Sequence, residues 1–251
     1  MALVTTQATI LKTYEYSETS KILRLLTRDL GLSSVIAKGA RRPKSRFGGL
    51  LEPYTDGIAT FYTKEGRELH TLSAFELQRE RQSLGRDLLR YAGAGLLTEI
   101  ALRFAASSAD RELFEGLRQG LDRLVDEDVA VETLILTEAW KLIERLGFAP
   151  SIDRCSLCNR PTPAEEPAHF DLGGGGLICG SCRPGMRDVK LRGLTATART
   201  ELAGLLSGGR PSSQELTTAA TQRELLRDFI AYHLADHRAL NSFRFLEERL
   251  R

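Results

Sequence analysis

Residues 21–37 have the sequence KILRLLTRDLGLSSVIA, in which two apolar runs flank a short polar segment. The first run, residues 21–27, is rich in Ile and Leu and ends in Thr, a composition typical of a β-strand. Asp29-Leu30-Gly31 supplies turn-forming residues, and residues 32–37 are again mainly apolar. The pattern predicts a β-hairpin.

Three more strands are predicted around this hairpin. Residues 3–14 precede it, and residues 56–63 and 69–77 follow it, separated by Lys64-Glu65-Gly66-Arg67, whose glycine suits a short hairpin loop. Five strands in about 80 residues are typical of a small closed barrel such as the OB-fold. Other small five-stranded sheets are also consistent with the pattern.

The hydrophobic period changes from two to about 3.6 after residue 80, which predicts helices. Gly147 and Pro150 supply stop signals for the helix that precedes them. The predicted helical segments are 86–104, 113–125, 131–146, 194–206 and 222–250.

Residues 151–190 interrupt the helical pattern. They are rich in Pro and Gly, and we interpret glycines 173–176 as a flexible connector. We therefore predict an α+β multidomain protein. Its predicted parts are an OB-fold DNA-binding domain in 1–80 and a helical domain in 81–251, the latter interrupted by a metal-binding module in 151–190.

Four cysteines in the module have the spacing of a metal site. Cys155 and Cys158 form one Cys-x-x-Cys pair, and Cys179 and Cys182 form a second pair after 20 intervening residues. Two such pairs complete a tetrahedral four-sulfur shell, which predicts one structural Zn²⁺. Disulfides are not expected, because the N-terminus lacks the features of a secretory signal and cytosolic thiols stay reduced. His169 could replace one cysteine, although an exposed loop position is the favoured interpretation.

Catalysis is not expected. The His-x-Glu and Pro-Cys-x-x-Cys motifs of zinc deaminases are absent, and a saturated four-sulfur shell leaves no open position. His233 and His237 have the i, i+4 spacing of metalloprotease ligands, but Leu234 stands where the glutamate is required. His70 is the remaining histidine, and no phosphate-binding loop for ATP is found.

The overall composition describes an ordinary globular protein. Its 251 residues contain 35 basic and 33 acidic side chains, which gives a net charge of +2, and 42% of residues are hydrophobic. Residues 1–80 contain 12 basic and 9 acidic side chains, against 23 and 24 in residues 81–251. No apolar run approaches the roughly 20 residues that cross a bilayer, so no membrane role is expected.

Residues 38–46 form a basic segment between two predicted strands, and this segment is the candidate nucleic-acid site. A loop of this kind can follow a phosphate backbone, although a solvated loop is the simpler alternative. Tyr54, Phe61 and Tyr62 are candidates for base stacking or for the barrel core, with the core favoured for Phe61. The cations of the segment, which contains no acidic residue, are Lys38, Arg41, Arg42, Lys44 and Arg46.

Three stretches resemble one known family. Residues 37–45, AKGARRPKS, followed by residues 50–53, LLEP, are similar to the signature of the bacterial recombination-mediator family RecO. Residues 232–246, YHLADHRALNSFRFL, resemble the closing helix of that family. Asn241 departs from the pattern, which has Lys at this position. Together with the cysteine pairs, the resemblance spans the whole chain.

The resemblance implies a non-enzymatic protein of DNA repair that is cytoplasmic and associated with the nucleoid. Such proteins bind single- and double-stranded DNA, anneal complementary strands and engage the C-terminal tail of single-strand-binding protein. With RecR they help to load the RecA recombinase. The DNA-binding role would fall on the five cations of residues 38–46, and the zinc role on the four cysteines. The alternative is a zinc-containing RNA-binding or protein-interaction adaptor, which equal or tighter binding to structured RNA would favour.

Overall fold

The computed structural model describes residues 2–63, 66–127, 129–163, 165–186, 190–207, 215–234 and 240–250. The chain divides into two compact units, Met1–Asp126 and Glu127–Arg251. Within the described ranges, the first unit contains a barrel and two α-helices, and the second contains a small sheet and four α-helices.

The first unit begins with a closed five-stranded barrel, as predicted. Its strands follow the order β1-β2-β3-β5-β4 around the barrel. Their bounds are β1 Ala2–Glu15, β2 Lys21–Thr27, β3 Gly31–Ala37, β4 Asp56–Thr63 and β5 Leu69–Arg79.

The length of β1 allows the sheet to close. Its first half pairs antiparallel with β4, its second half pairs antiparallel with β2, and the register shifts between Ile10 and Lys12. A parallel pairing of β3 with β5 joins the remaining edges over three residue pairs, Ser34 to Leu69 through Ile36 to Thr71. Closure leaves no long free edge among the described strands of this sheet.

Alternation of side chains fills the barrel. In β3 every second residue is buried, from Gly31 to Ala37, which places Val35 in the core. Two residues from the segment between β3 and β4 complete the core, Phe47 and Leu51. The strand residues of the core are Ala8, Ile10, Leu23, Leu25, Val35, Ala37, Ala59, Phe61, Leu72 and Phe75.

Helices follow the barrel within the first unit. A short 3-10 helix, Gln82–Arg86, leads to α1, Leu88–Phe104, and α2, Arg111–Asp126. The Asp87 carboxylate caps α1 by accepting hydrogen bonds from the backbone amides of Leu89 and Arg90.

A buried ion network ties the barrel to α2. Arg81 is fully buried and donates to the Asp56 carboxylate at 2.7 Å and to the Tyr54 carbonyl at 2.6 Å. Asp122 accepts from Arg81 at 2.8 Å, and Arg118 donates to Asp56 at 3.0 Å. The network fixes the end of the β3–β4 segment, because Tyr54 is its penultimate residue.

The second unit combines helices with a small sheet. The sheet has the order β7-β6-β8, and a short 3-10 helix, Arg183–Gly185, lies between β7 and β8. The bounds are α3 Val131–Arg145, β6 Ala168–Asp171, β7 Gly176–Ile178, β8 Leu191–Leu194, α4 Ala196–Leu206, α5 Ala219–His233 and α6 Asn241–Arg249.

Aromatic packing connects the small sheet to the helices of this unit. Phe229 of α5 lies 5.1 Å from Trp140 of α3 and 6.1 Å from Phe170 of β6, measured between ring centroids. All three side chains are buried. The predicted module is thus packed on the helices through its own sheet.

The predicted fold class is confirmed in its three parts, which in the described residues are an OB-like five-stranded barrel, six α-helices and a four-cysteine cluster. The division of the compact units after Asp126 groups α1 and α2 with the barrel. The domain boundaries drawn from sequence, 1–80 and 81–251, stay a prediction. Within the described ranges, none of the helices has both the length and the apolar character that crossing a bilayer requires.

Candidate nucleic-acid interface and metal centre

The segment between β3 and β4, residues 38–55, presents the predicted cations to solvent. We call this segment the basic loop. All five of its cations, Lys38, Arg41, Arg42, Lys44 and Arg46, are exposed.

Local turns and two apolar anchors shape the basic loop. Backbone amides donate three residues back along the chain, from Arg42 to Gly39 and from Ser45 to Arg42, at 3.2 and 3.0 Å. The Phe47 and Leu51 side chains insert into the barrel core, each 2% exposed. Because apolar groups hold the loop from beneath, its cations remain on the outside.

Two of the five cations contact side chains of the described residues. Arg41 forms an ion pair with Glu15 at 3.2 Å and donates to the Ser17 carbonyl at 3.1 Å. Arg46 lies over the ring of Phe47, 4.9 Å from its centroid. Lys38, Arg42 and Lys44 form no ion pair with any residue that the structure describes. These three charges are available to an anionic ligand.

The aromatic candidates named from sequence differ in location. Phe61 is fully buried in the barrel core, as favoured, and Tyr54 is buried with its ring edge against Tyr91 at 5.5 Å. Burial raises the pKa of the Tyr54 hydroxyl far above its ordinary value. Tyr62 is 44% exposed on β4. Neither Tyr54 nor Phe61 presents a ring face to solvent.

The four cysteines come together in the second unit. Their sulfur atoms all lie within 4.8 Å of one another, and the Cys158 and Cys179 sulfurs are 3.7 Å apart. A tetrahedral zinc site with Zn–S bonds of about 2.3 Å has sulfur–sulfur edges of about 3.8 Å. The thiols are free rather than joined in disulfides. The cluster therefore has the dimensions of a four-sulfur metal site.

Short backbone turns position each pair. The amide of Asn159 donates to the Cys155 carbonyl at 2.9 Å, and the amide of Cys182 donates to the Cys179 carbonyl at 3.0 Å. Asn159 has a left-handed φ of 58°, which an asparagine tolerates well. The Cys179 amide also donates to the Cys155 sulfur at 3.4 Å, which links the two turns.

The electrostatics of the cluster favour a bound cation. Burial acts to raise the pKa of Cys155, but the backbone amides of Cys179, Cys158 and Leu157 outweigh it and lower the pKa to about 6. Hydrogen bonds to the neighbouring thiols of Cys158 and Cys179 raise the pKa of Cys182 to about 12. Four thiolates this close repel one another, and a metal ion bound to all four offsets the repulsion.

The three histidines that the structure describes lie outside this cluster. His169 is half-buried in β6, where it pairs with Ile178 and Gly193, so the expectation of an exposed loop position is wrong. His70 lies in β5 and stacks on Phe61 at 5.7 Å, and His233 packs on Phe229 at 4.4 Å. His237 lies outside the described residues, so its spacing to His233 stays a sequence observation.

The glycine run 173–176 is a tight turn rather than a flexible connector. It joins β6 to β7, with Gly175 at a φ of +64°. A Cβ at Gly174 would lie 2.6 Å from the Asp171 carboxylate, and one at Gly176 would lie 2.7 Å from the Ser151 carbonyl. Backbone space at Gly176 and turn geometry at Gly175 therefore favour glycine at these two positions.

A buried arginine that binds the segment between the two cysteine pairs was not predicted from the sequence. Arg199 of α4 is 3% exposed and donates to the carbonyls of Thr162 at 2.8 Å, Glu166 at 2.6 Å and Pro163. It holds the segment between the two cysteine pairs against α4. The signal in the sequence that could have indicated its burial was an arginine on the apolar side of a predicted helix.

Comparison with known proteins gives two family matches that together cover most of the chain. Residues 1–81 match the family model described as recombination protein O N terminal. Residues 85–241 match the model described as recombination protein O C terminal.

Curated relatives agree with these matches. A protein of Anaeromyxobacter dehalogenans strain 2CP-C, named DNA repair protein RecO, is 34% identical over 247 residues, which cover 95% of this chain and 94% of the relative. A protein of Syntrophus aciditrophicus with the same name is 31% identical over 249 residues, covering 97% and 95%. One from Rhodopirellula baltica is 35% identical over 179 residues, covering 70% and 66%.

Proposed function

The chain belongs to the recombination protein O (RecO) family of DNA repair proteins, and from this membership we propose that it is a non-enzymatic mediator of homologous recombination. It binds single- and double-stranded DNA and anneals complementary strands. It engages the C-terminal tail of single-strand-binding protein and, with RecR, helps to load RecA onto coated DNA. It works in the cytoplasm at the nucleoid, where its DNA substrate lies.

The observation that carries the DNA-binding proposal is the basic loop. Five cations are exposed on one loop, and Phe47 and Leu51 anchor that loop in the barrel. Contacts with phosphates do not depend on base identity, which suits a protein that must pair any two complementary strands. The nucleic-acid-binding residues that we propose are Lys38, Arg41, Arg42, Lys44 and Arg46.

Direct binding tests this assignment. The triple variant Arg41→Ala, Arg42→Ala, Lys44→Ala tests the loop. Its slope of log affinity for single-stranded DNA against log salt should be less negative than that of the wild type by about 2, since each phosphate contact contributes about 0.7. The matched control removes three exposed cations elsewhere, with Arg86→Ala, Lys190→Ala and Arg244→Ala. We expect the control to bind like the wild type, and unchanged affinity in the loop variant contradicts the assignment.

Strand annealing tests the mediator role itself. Complementary strands coated with single-strand-binding protein should anneal faster with the wild-type chain than without it, and the loop variant should lose most of this effect. Failure of the wild type to anneal coated strands counts against the proposal. Equal or tighter affinity for structured RNA than for single-stranded DNA supports the adaptor alternative instead.

We propose that Cys155, Cys158, Cys179 and Cys182 hold one structural Zn²⁺. The four-sulfur geometry fits zinc, and the metal supplies folding free energy to a segment with a small apolar core. Metal analysis of the purified chain should give about one zinc per molecule. A chain purified without chelators that contains no zinc contradicts the assignment.

A further inference from the structure

The outer face of the barrel presents a row of side chains that the proposed function does not use. Lys12, Tyr14 and Tyr16 alternate along the end of β1 and into the turn that follows it. Residues two apart on a strand share a face. Thr13, between Lys12 and Tyr14, lies on the inner face, because it pairs with the core residue Leu23. Lys12 and Tyr14 therefore lie on the outer face.

The two tyrosines are exposed although large apolar rings favour burial. Tyr14 is 42% exposed and Tyr16 is 54% exposed. In the sheet Tyr14 pairs with Ile22, and Ile22 pairs with Ile36, both half-buried. We call this cross-strand row of aromatic and aliphatic side chains, Tyr14, Ile22 and Ile36, the platform. Base stacking on aromatic rings uses such a platform, since every base has a π-face.

A pair of like charges lies beside this platform. Lys12 pairs with Arg24 across the β1–β2 ladder, and Arg24 pairs with Ser34. Like charges directly opposite each other destabilise a sheet. Among the described residues neither cation has an acidic partner. The Lys12 ammonium lies over the Tyr14 ring, 5.1 Å from its centroid, and a base stacked on that face would displace it toward a phosphate. Arg24 donates to the Ser34 hydroxyl at 2.8 Å. Bound phosphates would offset this repulsion.

The platform is continuous with the basic loop. The Arg41 amide donates to the Thr19 carbonyl at 3.0 Å, and its guanidinium binds the Ser17 carbonyl and the Glu15 carboxylate. The turn after β1 and the basic loop therefore touch. Glu15 is neutralised by Arg41, and Glu18 lies in the turn itself.

We propose that Tyr14 and Tyr16 stack on the bases of single-stranded nucleic acid while Lys12 and Arg24 contact its phosphates. This site rests on the proposed function, because it extends the path of the strand from the basic loop onto the outer face of β1 and β2. It also replaces the aromatics named from sequence. Tyr54 and Phe61 are buried, and Tyr62 pairs with Leu3 near the other end of β1, about 35 Å from Tyr14 along the strand.

The decisive experiment compares normal and abasic strands. The single variant Tyr14→Ala should weaken binding of an oligothymidine strand about tenfold, and the double variant Tyr14→Ala, Tyr16→Ala should weaken it further. On an abasic strand with the same number of phosphates, both variants should bind like the wild type. Tyr14→Phe, which keeps the ring, should bind the oligothymidine normally.

Tyr62→Ala is the matched control, since Tyr62 has the same residue type and a similar exposure on the same barrel. It should leave affinity for both strands unchanged. Lys12→Gln should make the slope of log affinity against log salt less negative by about 0.7 on both strands, because its contact is with phosphate.

The outcomes separate this site from the proposed function. Normal binding of the oligothymidine by the double variant overturns the stacking site and leaves the basic loop standing. An equal loss on oligothymidine and abasic strands also overturns stacking, because the effect is then independent of bases. Absence of salt-dependent DNA binding by the wild type instead overturns the proposed function.

Discussion

Asp56 and Arg81 are a carboxylate and a guanidinium that folding removes almost entirely from water. Their side chains are 2% and 0% exposed, and each has further partners, Thr9 and Arg118 for Asp56 and the Tyr54 carbonyl for Arg81. Burying two charges is costly, and only good geometry on both sides compensates for it. The pair is consequently sensitive to the loss of either partner.

We expect Asp56→Asn to reduce the free energy of unfolding by about 3–5 kcal/mol, because Arg81 would remain buried without its main counter-charge. Urea denaturation measures the change. The control is Asp126→Asn, which removes one of the two carboxylate partners of Arg79 at an ion pair whose side chains are 41% and 58% exposed. Since exposed ion pairs contribute about 0–1 kcal/mol, the control should be nearly neutral. Similar losses in the two variants would contradict the role of burial.

The same pair predicts a dependence of stability on pH. Burial alone would raise the pKa of Asp56, but hydrogen bonds and charge from Arg81 outweigh it and lower the pKa below the ordinary value of 3.8. A lowered pKa contributes stability that is present above the unfolded-state value and is lost as pH falls through the folded-state value. Urea unfolding between pH 6 and pH 2 should therefore show a loss at the acidic end that is smaller in Asp56→Asn.

A side chain at Gly31 would collide with the neighbouring backbone. It has a φ of +64°, and a Cβ there would lie 2.2 Å from the Ser108 carbonyl oxygen and 2.6 Å from that of Ala106. We expect Gly31→Ala to destabilise the chain by well over the ~1 kcal/mol that the left-handed backbone alone costs. Gly66→Ala isolates that backbone cost, because Gly66 has a φ of +73° and a Cβ there would meet no described residue within 4 Å beyond its chain neighbours. Thermal unfolding of both variants compares the two effects.

At the scale of elements, the basic loop is part of the barrel core as well as of the surface. Phe47→Ala should cost about 3–5 kcal/mol of stability and should also weaken single-stranded DNA binding, because the loop loses its anchor. Leu25→Ala removes a fully buried core side chain from β2. It should destabilise the barrel with little effect on DNA affinity. Equal effects of the two variants on affinity would show that the anchor does not position the cations.

The fluorescence of Trp140 can test whether the cysteine cluster holds a structural metal. Trp140 is the only tryptophan in the chain, and it contacts Phe229, which in turn contacts Phe170 of β6. Removal of the metal with a chelator should loosen the β6–β7 hairpin and change the fluorescence of Trp140. Added Zn²⁺ should restore the signal. A chain whose fluorescence and melting temperature ignore the chelator would contradict a structural metal.

Elements with a local pattern were predicted from sequence. The bounds of β2 and β4 agree with the predicted residues 21–27 and 56–63, because alternating and branched side chains mark a strand directly. The cysteine cluster was equally visible, since four residues at Cys-x-x-Cys spacing need no tertiary information.

Features that depend on distant parts of the chain were not predicted. Phe47 is an apolar residue between a basic segment and two glycines in sequence, and only the closed barrel shows that it fills the core. Tyr14 is an ordinary strand residue in sequence, and pairing with β2 is what places Arg24 beside Lys12 and Tyr14. Burial of Arg81 likewise depends on α2, which follows it by about 40 residues.

For the whole molecule, the net charge of +2 does not show how the basic residues are distributed. The basic loop concentrates five exposed cations on the first unit. If all five contact phosphates, the slope of log affinity against log salt for single-stranded DNA should be about −3.5. DNA-binding titrations at several salt concentrations measure this slope. A slope near zero would contradict phosphate binding by the basic loop.

The parallel join between β3 and β5 has a consequence for how the barrel assembles. It consists of three residue pairs between strands about 35 residues apart in sequence, whereas β2 and β3 pair over seven residues across a short turn. Closing a long loop for few contacts is entropically unfavourable early in folding. We therefore expect the barrel to close at this seam last and to open there first, so amide hydrogens of residues 34–36 facing β5 should exchange with deuterium sooner than those between β1 and β2.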